Sequence, residues 1–217
     1  MAQYRFICLA KSYKCGGYCV AGKTADDNQW IRPVSPNDEA GLTAGECQYI
    51  DRGTPEPLDI IECHLGEECP NGCQTENIII ELGQPWRKLG TFEGDITALC
   101  DDPANLWGIG DSSRYGLNDR VLVAFGEPYD NSLHFISATN VSIIVQDEGQ
   151  EDELKLKCRI QFSYNNNNYR LMVTDPLIRN RYINMGAGQY NLGEAHITTS
   201  LGVPLHGYRY KLAAAVI

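Results

Sequence analysis

Residues 153–181, ELKLKCRIQFSYNNNNYRLMVTDPLIRNR, decide the fold of this chain. Apolar residues alternate with polar ones over residues 154–163, which predicts a strand with one buried face. The four asparagines at 165–168 predict a turn, and residues 169–174 predict the next strand. Asp175 and Pro176 together predict the start of a helix that runs to about residue 184.

Residues on both sides of this stretch complete a recognisable order of elements. Residues 141–145 predict a strand before it, and residues 195–201 and 208–216 predict two strands after it. Three strands, a helix and two strands is the order of the oligonucleotide/oligosaccharide-binding (OB) barrel. Because that barrel binds ligands on one strand face and in two loops, the predicted fold points to a binding function.

The first half of the chain repeats this order without sequence similarity to the second half. Its predicted strands are residues 3–10, 18–22, 30–34, 58–64 and 78–82, with an irregular insert over 35–56. A predicted helix over 94–105, a glycine-rich loop over 108–120 and short strands at 121–125 and 133–137 follow. We therefore predict an all-β chain of two OB-like small β-barrels with a short helical connector. The barrels span residues 1–90 and 131–217, and the connector spans 91–130.

The net charge, and the lack of signal-peptide and membrane-spanning patterns in the sequence, indicate what kind of ligand and location to expect. The chain has 217 residues, a formal net charge of −10 and a pI of about 4.8. Proteins that grip long nucleic acids carry clustered Lys and Arg, so the acidic balance favours a small ligand or a protein partner. Because the sequence shows neither a signal peptide nor an apolar run long enough to cross a membrane, we expect a cytoplasmic protein without a membrane partner. Its nine cysteines are then reduced thiols.

Metal and catalytic motifs are weak. Cys63, Cys69 and Cys73 have spacings that match zinc knuckles only loosely, so we expect partly buried thiols and no metal or cofactor, with zinc as the alternative. None of the four histidines lies in a metalloprotease or acyl-transfer motif, and we assign no catalytic residue. An enzyme whose groups come together only in space stays open as an alternative.

Aromatic and basic residues that stand close together are the best candidates for ligand binding. Aromatic rings stack on bases, and Lys or Arg side chains bind phosphates. In OB barrels the ligand commonly lies on the second and third strands and in the loop between the first two. The predicted ligand-binding residues are Lys11, Tyr13, Trp30, Arg32, Asn77, Trp86, Lys88, Arg114, Tyr115, Asn118, Asp119 and Arg120.

Structural roles are the alternative for several of these residues. Trp30 and Trp86 would then be buried in a core, with Arg32 binding a carbonyl or a carboxylate. Asp119 and Arg120 would form an ion pair that fixes their loop, instead of contacting a ligand.

Several motifs, read together, resemble a family of bacterial and phage proteins called dual OB-domain proteins. They are AKSYKCGGYCVAG at 10–22, WIRPVS at 30–35, QTEN at 74–77, WRKLG at 86–90, LNDRV at 117–121, VTDP at 173–176 and SLGVPLHGYRYKLAAAVI at 200–217. The resemblance covers nearly the whole chain and implies two OB barrels. It also implies a link to the conflict between bacteria and phages, either in phage defence or in its inhibition.

The sequence thus predicts a non-enzymatic protein that binds a nucleotide-sized ligand or a short single-stranded nucleic acid. In a conflict system it would sense or sequester a nucleotide signal. One alternative is an acidic protein-interaction module that binds a defence or effector protein. A second is an enzyme that processes nucleotides or nucleic acid. The sequence leaves the oligomeric state open.

Overall fold

A computed structural model describes residues 2–14, 16–37, 41–123, 129–149 and 154–217. Strands dominate these residues, which also include one α-helix and one short 3-10 helix. The chain divides into two compact units. The first is Met1–Leu99 with Asp130–Ser132, and the second is Cys100–Tyr129 with Leu133–Ile217.

The first unit is a closed five-stranded barrel. Its strands are β1 (Ala2–Lys14), β2 (Gly17–Thr24), β3 (Trp30–Val34), β4 (Asp59–Glu68) and β5 (Asn77–Ile80). They pair in the ring β1-β2-β3-β5-β4, and β4 returns to β1; all pairs are antiparallel except β3–β5. A sixth strand, β6 (Arg87–Thr91), pairs with β4 outside the ring, and a 3-10 helix follows at Ile96–Leu99.

The second unit closes in the same way. Its strands are β7 (Arg120–Leu122), β8 (Leu133–Glu148), β9 (Lys155–Tyr164), β10 (Asn167–Val173), β11 (Gly188–Leu201) and β12 (Tyr208–Val216), with helix α1 (Pro176–Met185) between β10 and β11. The ring is β8-β9-β10-β12-β11, and β10–β12 is the parallel pair. Because both rings have the strand order of the OB barrel, the prediction of two OB-like barrels is confirmed. None of the helices in the described part of the chain is long and apolar enough to span a membrane.

Helix α1 begins where the sequence predicted. The Asp175 carboxylate accepts hydrogen bonds from the backbone N–H groups of Leu177 at 2.9 Å and Ile178 at 3.2 Å. Pro176 occupies the first helical position, where a missing N–H has no cost. The side chain of Asp175 therefore satisfies two of the unpaired N–H groups at the helix start.

Several elements differ from the sequence prediction. Strand β11 begins at Gly188 and not at residue 195, and residues 124–125 of the strand predicted at 121–125 lie outside the described residues. The two short strands predicted at 133–137 and 141–145 are one strand, β8, whose pairing with β9 is irregular between Thr139 and Ser142. This irregularity brings polar residues into the strand and hides its continuity in the sequence. The helix predicted over 94–105 is only the 3-10 turn at Ile96–Leu99. Strand β6, which pairs over only four positions of β4, was not predicted.

Each barrel has its own aromatic core. In the first, Phe6 and Trp86 pack edge to face with their ring centres 6.2 Å apart. In the second, Phe162 and Tyr169 stack at 5.3 Å. All four rings are buried, and they pack where inward-facing side chains of the strands meet.

Buried thiols in the first core are expected to lower the stability of the protein as the pH rises above 9. Burial raises the pKa of Cys8 and of Cys63 to about 12, from a usual value of 9.0. The unfolded chain therefore loses these protons first, and the stabilisation present below pH 9 is lost as the pH rises from 9 towards 12. We expect each thiol to contribute a loss of about 1.4 kcal/mol per pH unit in this range.

Urea unfolding at pH 8, 9 and 10 measures this effect. Cys63→Ala should reduce the slope of unfolding free energy against pH, whereas Cys69→Ala, at an exposed position, should leave it unchanged. Equal slopes for Cys63→Ala and the wild type would contradict the assignment.

Candidate functional site

Polar and aromatic side chains meet on the outer surface of β2, β3 and β5 in the first unit. Trp30 and Arg32 flank Ile31, which lies in the core, so both point outward. Asn77 is the register partner of Arg32 and precedes the core residue Ile78, so it also points outward. We call this surface the β3 face and define it by Lys23, Trp30, Arg32, Glu76 and Asn77.

Trp30 lies beside a buried ammonium group on this face. Lys23 is the register partner of Trp30, and its Nζ lies 5.3 Å from the centre of the indole ring. The same Nζ donates a hydrogen bond to the Leu99 carbonyl at 2.8 Å. Lys23 is only 2% exposed, whereas Trp30 is half-buried, so part of the indole reaches the surface. The cation–π contact helps to fix the ring in place.

Arg32 takes part in a buried polar cluster. Its guanidinium donates to a carboxylate oxygen of Glu76 and to the hydroxyl of Ser132, and that hydroxyl donates in turn to Glu76. Arg32 and Glu76 are 8% and 7% exposed. Because Glu76 neutralises its charge, Arg32 is better suited to hydrogen bonding with a neutral polar edge than to binding a phosphate.

The hairpin of β1 and β2 brings Lys11 and Tyr13 together. Lys11 Nζ donates to Thr54 Oγ1 at 2.8 Å and lies 4.9 Å from the ring centre of Tyr18. Tyr13, which is 45% exposed, packs edge-on against Tyr18 at 5.8 Å. This group forms an exposed aromatic surface with a cation beside it, near the loop that OB barrels commonly use for binding.

Trp86 and Lys88 are engaged in contacts within the first unit. Trp86 is 1% exposed and packs on Phe6, so it offers no face to a ligand, and the core role left open by the sequence is the one observed. Lys88 Nζ lies 2.5 Å from the buried carboxylate of Asp59, and this contact raises the pKa of Lys88. The Asp59 carboxylate also accepts a hydrogen bond from the Tyr49 hydroxyl at 2.8 Å. We therefore leave both residues out of the binding proposal.

In the second unit, Asp119 organises residues 111–120 of the glycine-rich loop. Asp111 and Arg120 form a bridge that closes this loop. The Asp119 carboxylate, 2% exposed, accepts hydrogen bonds from the Ser113 N–H at 2.7 Å and the Ser113 hydroxyl at 2.5 Å. Its ion-pair partner is Arg159 at 3.5 Å, not Arg120 as the sequence suggested, because Arg159 points from β9 towards the loop. Asp119 is thus a structural residue.

Asn118 also holds the loop. Its Oδ1 accepts hydrogen bonds from the Gly110 N–H at 2.6 Å and from Lys211 Nζ at 2.8 Å. Lys211 donates to the Gly108 carbonyl as well, at 2.8 Å, and burial lowers the pKa of its ammonium to about 8. Asn118 and Lys211 therefore use these polar atoms for hydrogen bonds that hold the buried side of the loop.

The remaining predicted residues of this loop are displayed at its surface. Arg114 is exposed, and its guanidinium lies 5.0 Å from the ring centre of Tyr115. The Tyr115 hydroxyl donates to the Gly149 carbonyl at 3.3 Å. Arg120 stacks on Tyr208 with 4.0 Å between its guanidinium carbon and the ring centre. These pairs present cations and rings on a well-anchored loop.

Sequence reasoning missed Lys23, Glu76 and Ser132. Lys23 could have been found, because it faces Trp30 once β2 and β3 are paired. Glu76 and Ser132 are 44 and 100 residues from Arg32 in the chain, and no sequence pattern joins them. Across the residues that the structure describes, no three His, Cys, Asp or Glu side chains form a group that could hold a metal ion.

Two closed OB barrels, one with an aromatic and polar outer strand face, define an OB-fold protein. The family model described as the dual OB-containing domain matches residues 4–216. The chain therefore belongs to the dual OB-containing domain family, and the resemblance seen in its motifs is confirmed. No curated protein and no solved structure matches the chain significantly. At a coarse level, a dual OB domain indicates binding of nucleic acid or of a small ligand.

Proposed function

We propose that this protein binds a nucleotide-sized ligand, or a short single-stranded nucleic acid, on the β3 face and catalyses no reaction. The observation that carries the proposal is the position of Trp30. Its half-buried indole contacts Lys23 and lies two residues before Arg32, on the strands that OB barrels use for binding. An aromatic ring in this position stacks on a base, and neighbouring polar groups contact the base edge.

Charge favours a small ligand over a long polymer. The first unit contains sixteen Asp and Glu residues against eight Lys and Arg residues. Several of these cations are already paired, for example Arg32 with Glu76 and Lys88 with Asp59. Because binding to long nucleic acid needs many free cations along a groove, this unit is suited to a ligand held by one ring and a few hydrogen bonds.

In a conflict between a bacterium and a phage, such a protein would sense or sequester a nucleotide signal. Sensing fits a bacterial host, and sequestration fits a phage. Both roles require only a binding site of the kind described for Trp30, and neither requires a catalytic group.

An acidic interaction module is the second candidate, and the excess of carboxylates in the first unit favours it. Exposed acidic residues in this unit include Asp26, Asp27, Glu67, Glu68 and Glu93. A basic partner protein would be attracted to such a surface, and its association would weaken with salt.

Replacing Trp30 by alanine tests the main proposal. Isothermal titration calorimetry with AMP, GMP, CMP, UMP and a six-nucleotide single strand measures binding to the full chain. Loss of one base stack costs about 1–3 kcal/mol, so we expect Trp30→Ala to bind about 5- to 150-fold more weakly. The matched control, Tyr115→Ala, removes a partly exposed ring in the second unit and should keep wild-type affinity.

Other outcomes would redirect the assignment. Weaker binding by Tyr115→Ala but not by Trp30→Ala would place the ligand at the loop over residues 111–120. Failure of the wild type to bind any of these ligands, together with salt-sensitive binding of a basic protein, would contradict the proposal and favour the interaction module.

A further inference from the structure

Three buried polar atoms of the β3 face have no hydrogen-bond partner among the residues that the structure describes. They are Nε of Arg32, Oε2 of Glu76 and Oδ1 of Asn77. All three residues are more than nine-tenths buried. Because nearly all buried polar atoms in native proteins have partners, a concentration of three such atoms in one place points to a missing partner.

The three atoms belong to neighbouring residues on one surface. Arg32 and Asn77 are register partners in the parallel pair of β3 and β5. The Arg32 backbone N–H donates to the Glu76 carbonyl at 2.8 Å, which holds the two segments together. Trp30, two residues before Arg32 on β3, lies on the same side of the sheet. A base stacked on Trp30 would therefore lie beside these atoms.

The donors and acceptors among the unpartnered atoms define which hydrogen-bonding edge of a base would fit them. Arg32 offers one N–H donor, and Glu76 and Asn77 offer one oxygen acceptor each. A matching edge carries one acceptor and two donors. The Watson–Crick edge of guanine has this pattern, with the O6 oxygen and the N1 and N2 N–H groups. Adenine, cytosine and uracil each place a single donor group on that edge and leave one acceptor unmatched.

Ser132 bonds to neighbouring atoms of the same two residues, Arg32 and Glu76. Its hydroxyl accepts a hydrogen bond from Arg32 and donates one to Glu76, as an acceptor and an adjacent donor on a base edge would. The segment Asp130–Ser132 is also held by a hydrogen bond from Thr75 Oγ1 to the Asp130 carbonyl at 2.7 Å. Because Ser132 uses Nη2 of Arg32 and Oε1 of Glu76, it leaves Nε of Arg32 and Oε2 of Glu76 for a base.

We propose that Arg32, Glu76 and Asn77 recognise the Watson–Crick edge of a guanine base stacked on Trp30. The proposal rests on the proposed function, since it names the base that the β3 face selects. Arg32 donates to O6, and the oxygens of Glu76 and Asn77 accept from N1 and N2. Glu76 is the specificity residue, because a carboxylate rejects bases that present only acceptors at that position.

Calorimetry of the full chain with GMP, IMP, AMP, CMP and UMP tests the proposal. A site built to bind a donor discriminates strongly against ligands that lack it. We expect GMP to bind at least tenfold more tightly than AMP, CMP or UMP. IMP, which lacks only the N2 amino group, should bind with intermediate affinity.

Variants of the cluster then test the assignment of residues. Glu76→Gln should lower GMP affinity about tenfold more than it lowers AMP affinity, and Asn77→Ser is a second variant should Glu76→Gln fail to fold. The matched control is Glu62→Gln, which alters another buried carboxylate of the same unit, on β4, that pairs with Arg5. This control should keep the full preference for GMP.

The outcomes separate this proposal from the proposed function. Equal affinity for all five nucleotides would overturn guanine recognition and leave nucleotide binding intact. No binding of these nucleotides or of the six-nucleotide single strand would overturn both. A preference for GMP that survives in both Glu76→Gln and Asn77→Ser would overturn the assignment to these residues. A crystal structure of the GMP-saturated protein with an ordered water on all three atoms would assign them to that water instead.

Discussion

Asp119→Ala is expected to lower the free energy of unfolding by about 3–5 kcal/mol, the usual cost of removing one partner from a buried ion pair. The Asp119 carboxylate accepts two hydrogen bonds from Ser113 and lies 3.5 Å from the Arg159 guanidinium. With alanine at this position, the Ser113 N–H loses its acceptor, and Arg159 loses one of its two counter-charges among the described residues and keeps Glu148. The loop over residues 111–120 then loses its internal support.

Urea unfolding followed by circular dichroism measures this loss. Asp147→Ala removes an exposed carboxylate of β8 in the same unit and should change the free energy of unfolding by less than about 0.5 kcal/mol. A loss below about 1 kcal/mol for Asp119→Ala would show that Glu148 alone compensates Arg159 and that the loop is held mainly through Asn118.

Trp86→Ala is expected to destabilise the protein by a similar amount, about 3–5 kcal/mol, because it leaves a large cavity in the first core. Trp86 is 1% exposed and contacts Phe6 edge to face. The surrounding strands belong to a closed ring and can collapse only partly into the space.

The variant Trp30→Ala is the control for the stability loss expected of Trp86→Ala. Because its indole is only half-buried, Trp30→Ala should cost much less stability than Trp86→Ala, while it is the variant expected to lose ligand binding. Thermal and urea unfolding of the two variants side by side measure the difference. Equal losses of stability would contradict the division into one core tryptophan and one binding tryptophan.

Much of the fold could be predicted from the chain because its strands bury one face. The alternation of apolar residues over 154–163 corresponds to β9, and the cap at Asp175 marks the start of α1. Where a strand carries a polar irregularity or lies outside the ring, as in β8 and β6, the alternation fails. Such elements depend on pairing with distant strands, and local sequence does not record that pairing.

The candidate site was only partly predictable for the same reason. Trp30, Arg32 and Asn77 could be selected by residue type and by their place in the predicted barrel. Their relation to Glu76 and Ser132 depends on the parallel pairing of β3 with β5 and on a segment 100 residues further along the chain. Trp30 and Trp86 have the same residue type and a similar basic neighbourhood in sequence, so only the packing of the barrel distinguishes them.

The return of the chain to the first unit at Asp130–Ser132 has a consequence for protein synthesis. All five strands of the first ring leave the ribosome before Ser132 is made, and at usual elongation rates this interval lasts on the order of seconds. During that time a nascent first barrel has Arg32 and Glu76 without the hydroxyl that bridges them. The barrel can close early, but its polar cluster matures only after translation has passed into the second half of the chain.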